Sequence, residues 1–205
     1  MVKDTEPTGV ASMIRGIKTE NLGMELLSKI DNKKYYKYKK QEENEYLTAV
    51  LDVIDAKTID KATKIFDIKS SNDINAFYNK ADDPFTKSNI LQMQGYFSVT
   101  GISVGEIVHC LVGEPQNVID EQEQLLFRKL CQDGKPTEKY IKEWEKALNS
   151  MCYTDIPEQN RLASKLIERD DEIIETINAT IRECRKWLNS YHEIHESFIS
   201  NRYIE

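Results

Sequence analysis

Histidine and cysteine are the side chains best able to bind a metal or act as nucleophile or base near neutral pH. This 205-residue chain has three of the first and four of the second. His192-Glu193-Ile194-His195-Glu196 sets two imidazoles beside a carboxylate, superficially the pattern of a zinc-peptidase helix. That chemistry needs its histidines at i and i+4, so that both rings meet one ion on one helix face. Here they stand at i and i+3, with no third ligand in evidence. His109 adjoins Cys110, but no orienting acid or oxyanion loop accompanies the pair, and core packing is the reading it supports. Cys110, Cys131, Cys152 and Cys184 lack the two close pairs of a zinc module. The glycines are scattered, with no phosphate-cradling loop after a strand. Carboxylates are abundant, yet no pair stands out from a solvated helix face. The expectation is a protein that is not an enzyme, with no metal and no cofactor.

The elements that must position any functional residue read as helices. Tyr46, Leu47, Val50, Leu51, Val53 and Ile54 supply a first helix. Residues 58–66 form a short amphipathic second one, with Thr58 placed to accept an orphan backbone N–H at its start. Asp67, Ile68 and Lys69 make a tight turn. Ser70 and Ser71 open a third helix through Lys80, with Ile74, Phe77 and Tyr78 on one face and Ser71, Asn72, Asn75 and Ala76 on the other. Short polar residues let a backbone approach base edges, and Asn both donates to and accepts from adenine in the major groove. Ile90, Met93, Tyr96 and Phe97 mark a fourth helix, and Ile102, Ile107, Val108, Leu111 and Val112 a last one before Gly113.

On the turn Asp67-Ile68-Lys69-Ser70, the buried Ile74 and Phe77, Pro84, the run Tyr96-Phe97-Ser98-Val99 and the closing Leu111-Val112-Gly113, the segment from about 43 to 113 resembles the lambda-repressor-like helix-turn-helix family, of the Cro/CI or XRE type. The resemblance implies a five-helix DNA-reading domain. Ser71, Asn72, Asn75 and Ala76 would then read bases, with Ser70 and Lys69 beside the phosphate backbone. Lys57 and Lys61 join them as phosphate contacts, because residues 57–80 are locally basic. The wider segment is acidic, with six Lys and no Arg against twelve Asp or Glu in residues 41–115. DNA affinity therefore requires segregated charge. Just upstream, Lys29, Lys33, Lys34, Lys37, Lys39 and Lys40 interleave with Tyr35, Tyr36 and Tyr38. That composition suits phosphate contact with aromatic support, or equally a solvated, charged start to the first helix.

Beyond Pro115 come helices opened by Pro136 and Pro157. The last reads as one long helix, with Ile167, Asp170, Ile174, Ile177, Ile181, Cys184, Leu188, Tyr191, His195 and Phe198 in steps of three and four. Its seam is covered either within the chain or by a second copy. Residues 116–205 hold 13 basic and 18 acidic side chains. Met1 to Gly9 has no cationic start followed by an apolar run, and no stretch is apolar enough to span a bilayer, so a cytoplasmic place is expected.

The expected fold is all-α in three parts: an N-terminal arm (1–42), a five-helix helix-turn-helix domain (43–114), and a C-terminal helical bundle or coiled-coil domain (115–205) for dimerisation or partner binding. The expected function is sequence-specific binding of double-stranded DNA as a homodimeric transcriptional repressor. The alternative is a mobile-element protein with an autoregulatory helix-turn-helix, whose acidic residues 115–205 bind and inhibit a protein partner, in the manner of some anti-CRISPR proteins.

Overall fold

The computed structural model describes residues 11–71, 73–82, 86–131 and 133–201. In chain order they form α1 (Ala11–Ile30), β1 (Tyr36–Lys37), β2 (Gln41–Glu43), β3 (Thr48–Val50), β4 (Val53–Ile54), β5 (Ile65–Ser70), α2 (Ile74–Asp82), α3 (Lys87–Thr100), β6 (Val104–Cys110), α4 (Gln116–Leu130), α5 (Glu138–Met151), β7 (Leu162–Glu168) and α6 (Asp171–Asn201). The all-α expectation is thereby corrected to a mixed α/β fold. Five strands lie in one sheet in the order β1-β4-β5-β6-β7, and β2 and β3 pair as a separate hairpin. The large sheet draws strands from all three segments into which the sequence was divided. Among the described residues, no helix is long and apolar enough to cross a membrane.

The central strands explain the correction. β5 and β6 run parallel, Ile65 opposite Gly105 through Ser70 opposite Cys110, while the other neighbouring pairs are antiparallel. Strands covered on both faces lose the alternation of apolar and polar residues and become short apolar runs. Ile65, Phe66 and Ile68 are buried on β5, and Ile107, Val108 and Cys110 on β6. Such runs cannot be told from a buried helix by periodicity; their β-branched content is the better guide.

The five-helix helix-turn-helix is therefore absent. Residues read as its first helix, 46–54, are the end of the β2–β3 turn, β3 and β4. Residues 58–66 hold one 3-10 turn (Ile59–Lys61) and the start of β5. The expected turn at Asp67–Ser70 is the last four residues of β5, and the expected last helix contains β6. Residues 74–82 and 87–100 are helical, and they form the crossover between two parallel strands, a connection that needs about a dozen residues or more. Gly101 at φ 75° ends α3, its N–H donating to the carbonyl of Phe97. The single helix expected from Pro157 is instead a 3-10 turn, β7 and α6. Of its seam, Ile167 and Ile174 are buried in the sheet–helix core, whereas Leu188 and Tyr191 are exposed.

Two apolar layers clamp the sheet. On one face α1 contributes Leu26 and Leu27 against Val53, Phe66, Ile68, Val108 and Cys110. On the other, α3 contributes Met93, Tyr96 and Phe97 against Ile54, Ile65 and Ile107, and Ile174 of α6 joins them. The buried Gln94 of α3 donates to the carbonyl of Glu168 and accepts from Asp170 N–H, each at 2.8 Å, tying α3 to the β7–α6 corner. The helical hairpin α4–α5 is inserted between β6 and β7, with Phe127 edge-on to Tyr140 at 5.4 Å.

Gly23 sets how closely α1 lies on the sheet. A Cβ there would come within 2.7 Å of Ile68 Cγ2 and 3.3 Å of Cys110 Sγ. Ile is stiff about χ1 and Ile68 is held in the core, so the helix must move. Gly23→Ala is expected to destabilise the fold by about 1–3 kcal/mol, the usual cost of overpacking, measured by urea denaturation. An unchanged midpoint would show that α1 has room the packing denies.

Candidate active site

Register brings two acids together. β4 and β5 are antiparallel with Val53 opposite Phe66, so the next step sets Asp52 opposite Asp67. Side chains directly opposed on neighbouring strands share a face, and like charges so placed repel. Asp67 is 1% exposed. Its Oδ1 accepts from Lys69 Nζ at 2.9 Å, while Oδ2 is buried with no hydrogen-bond partner among the described residues. Asp52 Oδ2 accepts from Ile68 N–H at 3.0 Å. Burial first, then the charges of Asp67 and Glu20, push the Asp52 carboxyl from 3.8 up to about 7, against the opposing pull of the Ile68 N–H and Lys69.

Three further elements complete the cluster. Lys69 lies two residues from Asp67, on the same face of β5. Its Nζ also donates to Gln92 Oε1 of α3 at 3.3 Å, and Gln92 Nε2 donates to Tyr96 OH, one turn further along that helix, at 2.6 Å. Burial, then the charges of Asp52 and Asp67, raise the Tyr96 phenol and keep it protonated. From the opposite side α1 presents Glu20, paired with Lys37 Nζ of β1 at 2.9 Å. Beside it Thr19 Oγ1 donates to Ser70 Oγ at 2.6 Å, fixing the helix to the end of β5.

Asp52 and Asp67 offer only hard oxygen donors, the kind that suits Mg²⁺ or Mn²⁺. Among the described residues, no three His, Cys, Asp or Glu groups are placed so that together they could hold a metal ion. The fit instead rests on the orphaned Asp67 Oδ2 and on the opposed Asp52. An unpartnered buried carboxylate oxygen is costly, and a cation between the two acids would satisfy both.

The expected DNA-reading residues are dispersed. Lys69 and Ser70 lie in or beside the acidic cluster. Ser71 is buried, and its N–H donates to the Cys110 carbonyl at 3.0 Å. Asn75 is exposed on α2, and half-buried Ala76 donates its N–H to Asp73 Oδ1 at 2.8 Å. Lys57 and Lys61 are exposed in the β4–β5 connection, at the end of β5 away from Lys69. Asn72, and the side chains of His192 and His195, lie outside the described residues. Sequence reasoning missed Glu20, Asp52, Asp67, Gln92 and Tyr96. The available signal was an acid at the centre of each apolar run, Leu51-Asp52-Val53-Ile54 and Ile65-Phe66-Asp67-Ile68.

No family model and no curated protein matches the chain. Solved structures do. A phage-related exonuclease from Haemophilus somnus 129PT superposes with a TM-score of 0.65 at 19% identity, over 92% of this chain and 75% of that one. An alkaline exonuclease from Laribacter hongkongensis gives a TM-score of 0.61 at 14% identity, over 94% of this chain and 76% of that one. Its complex with dAMP gives 0.61 and 14%, over 96% and 78%. The chain thus shares the fold of these exonucleases. The helix-turn-helix resemblance is overturned, and with it the repressor reading, its anti-CRISPR-like alternative and the expectation of a non-enzyme.

The raised Asp52 carboxyl has a consequence for the metal-free protein. A proton bound more tightly in the folded state stabilises it below the unfolded value and ceases to do so as pH rises through the folded one. Stability should therefore fall between about pH 4 and the folded value of about 7. In urea titrations with chelator present, Asp52→Asn should flatten this dependence and gain stability at pH 8. Parallel pH profiles for the two proteins would refute the assignment.

Proposed function

We propose that this chain is a divalent-metal-dependent nuclease that hydrolyses phosphodiester bonds in DNA. The observation that carries the reading is the opposed pair Asp52 and Asp67, with Lys69 fixed beside them, on a fold shared with exonucleases. Double-stranded DNA, expected from the sequence as a bound operator, becomes the substrate, and the likeness favours attack from a strand end.

Asp52 and Asp67 would hold the ion, with the charge of Glu20, paired with Lys37, near enough to raise the Asp52 carboxyl. When bound, such an ion polarises a phosphoryl oxygen and lowers the pKa of its water. The chain's own residues supply the rest. Asp67 Oδ1 and Gln92 Oε1 hold the Lys69 ammonium in one position. A fixed cation there stabilises the negative charge that grows on the phosphoryl oxygens as water attacks phosphorus and the sugar oxygen departs. Gln92 is in turn oriented by the protonated Tyr96 hydroxyl, so α3 sets the Lys69 position.

Asp67→Asn and Lys69→Ala should each lower Mg²⁺-dependent release of nucleotides from a linear duplex by about 10²–10³-fold, as expected for loss of a transition-state charge partner. Gln92→Ala should cost less, because Asp67 still holds the lysine. The check is single-turnover cleavage of end-labelled DNA with circular dichroism as a folding control. Full activity in Asp67→Asn would remove the basis of the proposal.

A further inference from the structure

Resting on the nuclease reading, we propose that the lysine-rich segment Lys33–Lys40 is the track that holds the DNA phosphate backbone beside the catalytic cluster. Residues 29–40 contain six lysines and one acid, Asp31, in a chain whose net charge is −7. A cationic strip on an acidic protein is the segregation that phosphate binding requires.

The structure places this strip at the site. β1 is the edge of the large sheet, paired with β4, and Tyr38 N–H donates to the backbone carbonyl of Asp52 at 2.9 Å. Lys37 reaches Glu20 of the cluster directly. Lys39 and Lys40 therefore follow immediately after a residue hydrogen-bonded to the strand entry that carries Asp52. Among the described residues Lys34, Lys39 and Lys40 are exposed and make no ion pair, whereas Lys33 is within 3.7 Å of Asp55 Oδ2.

Tyrosines make the strip rigid. Tyr35 is buried in the α1-side core, with its ring 4.5 Å from that of Phe66. Tyr38 is buried in the α3-side core, and its hydroxyl donates to Glu42. The segment is thus pinned on both faces of the sheet. Lys33 and Lys34 each stand with Nζ 5.5 Å from a tyrosine ring centroid, over Tyr35 and Tyr36. Lysines also discourage an edge strand from pairing with another chain. That role does not require one of them to contact the acidic cluster, and β1 is only two residues long.

The test is fluorescence anisotropy of a short labelled duplex with the full chain, Ca²⁺ replacing Mg²⁺, across a salt series. The triple variant Lys34→Ala, Lys39→Ala, Lys40→Ala should weaken Kd at least about tenfold at 0.1 M salt. It should also reduce the slope of log Kd against log salt by roughly 2–3, the share of three phosphate contacts. The corresponding triple Arg variant should keep both values, since charge is retained. Unchanged affinity and slope in the Ala variant, or equal loss in the Arg variant, would overturn the track and leave the nuclease reading standing. A wild-type chain that neither binds nor cuts DNA would overturn both.

Discussion

Two carboxylates that face each other across adjacent strands, one of them 1% exposed, repel, and burial adds to the cost of their charge. That constraint organises the molecule. β4 and β5 must hold their register for Asp52 and Asp67 to meet. Gly23 lets α1 lie close enough to bring Thr19 to Ser70 and Glu20 toward the acids. On the other face α3 carries Gln92 to Lys69. The two apolar layers thus hold together acids that would otherwise separate, at a local cost in stability.

Parts of this were legible in the sequence. The apolar runs at 51–54, 65–68 and 107–112 marked buried elements, and Phe77, Met93, Tyr96 and Phe97 stood out by helical spacing. The error lay in assigning a period to runs that have none. A strand covered on both faces and a short buried helix present the same string of apolar residues. Read as helix and turn, residues 65–70 make Asp67 a turn residue and Lys69 a phosphate contact. Their separation of two, which on a strand sets them on one face, then carries no meaning. Asp52 could not be recognised at all, because its partner lies 15 positions away and only the β4–β5 register joins them. Tyr96 is hidden for a different reason, since it reads as the core face of a helix, and the exposed Gln92 one turn before it reads as ordinary helix surface.

Charge was the other legible feature, and it survives in a new place. The acidity of residues 41–115 makes DNA affinity depend on segregated charge, and in the folded chain the acids include the opposed Asp52 and Asp67. Of the lysines of 29–40, Lys37 lies on the edge strand beside them and Lys33, Lys34, Lys39 and Lys40 flank that strand, whereas Lys29 stays on α1, paired with Glu158. An acidic site with a cationic margin suits a polyanion that must be held and also brought to a metal.

The most direct measurement is the time course of end-labelled linear duplex DNA incubated with the purified chain in Mg²⁺, in Mn²⁺ and in chelator. Nucleotide release that requires the divalent ion and disappears in Asp52→Asn is the predicted result. Intact DNA under all three conditions, or release undiminished by chelator, would contradict the assignment of the opposed acids as a metal-dependent catalytic centre.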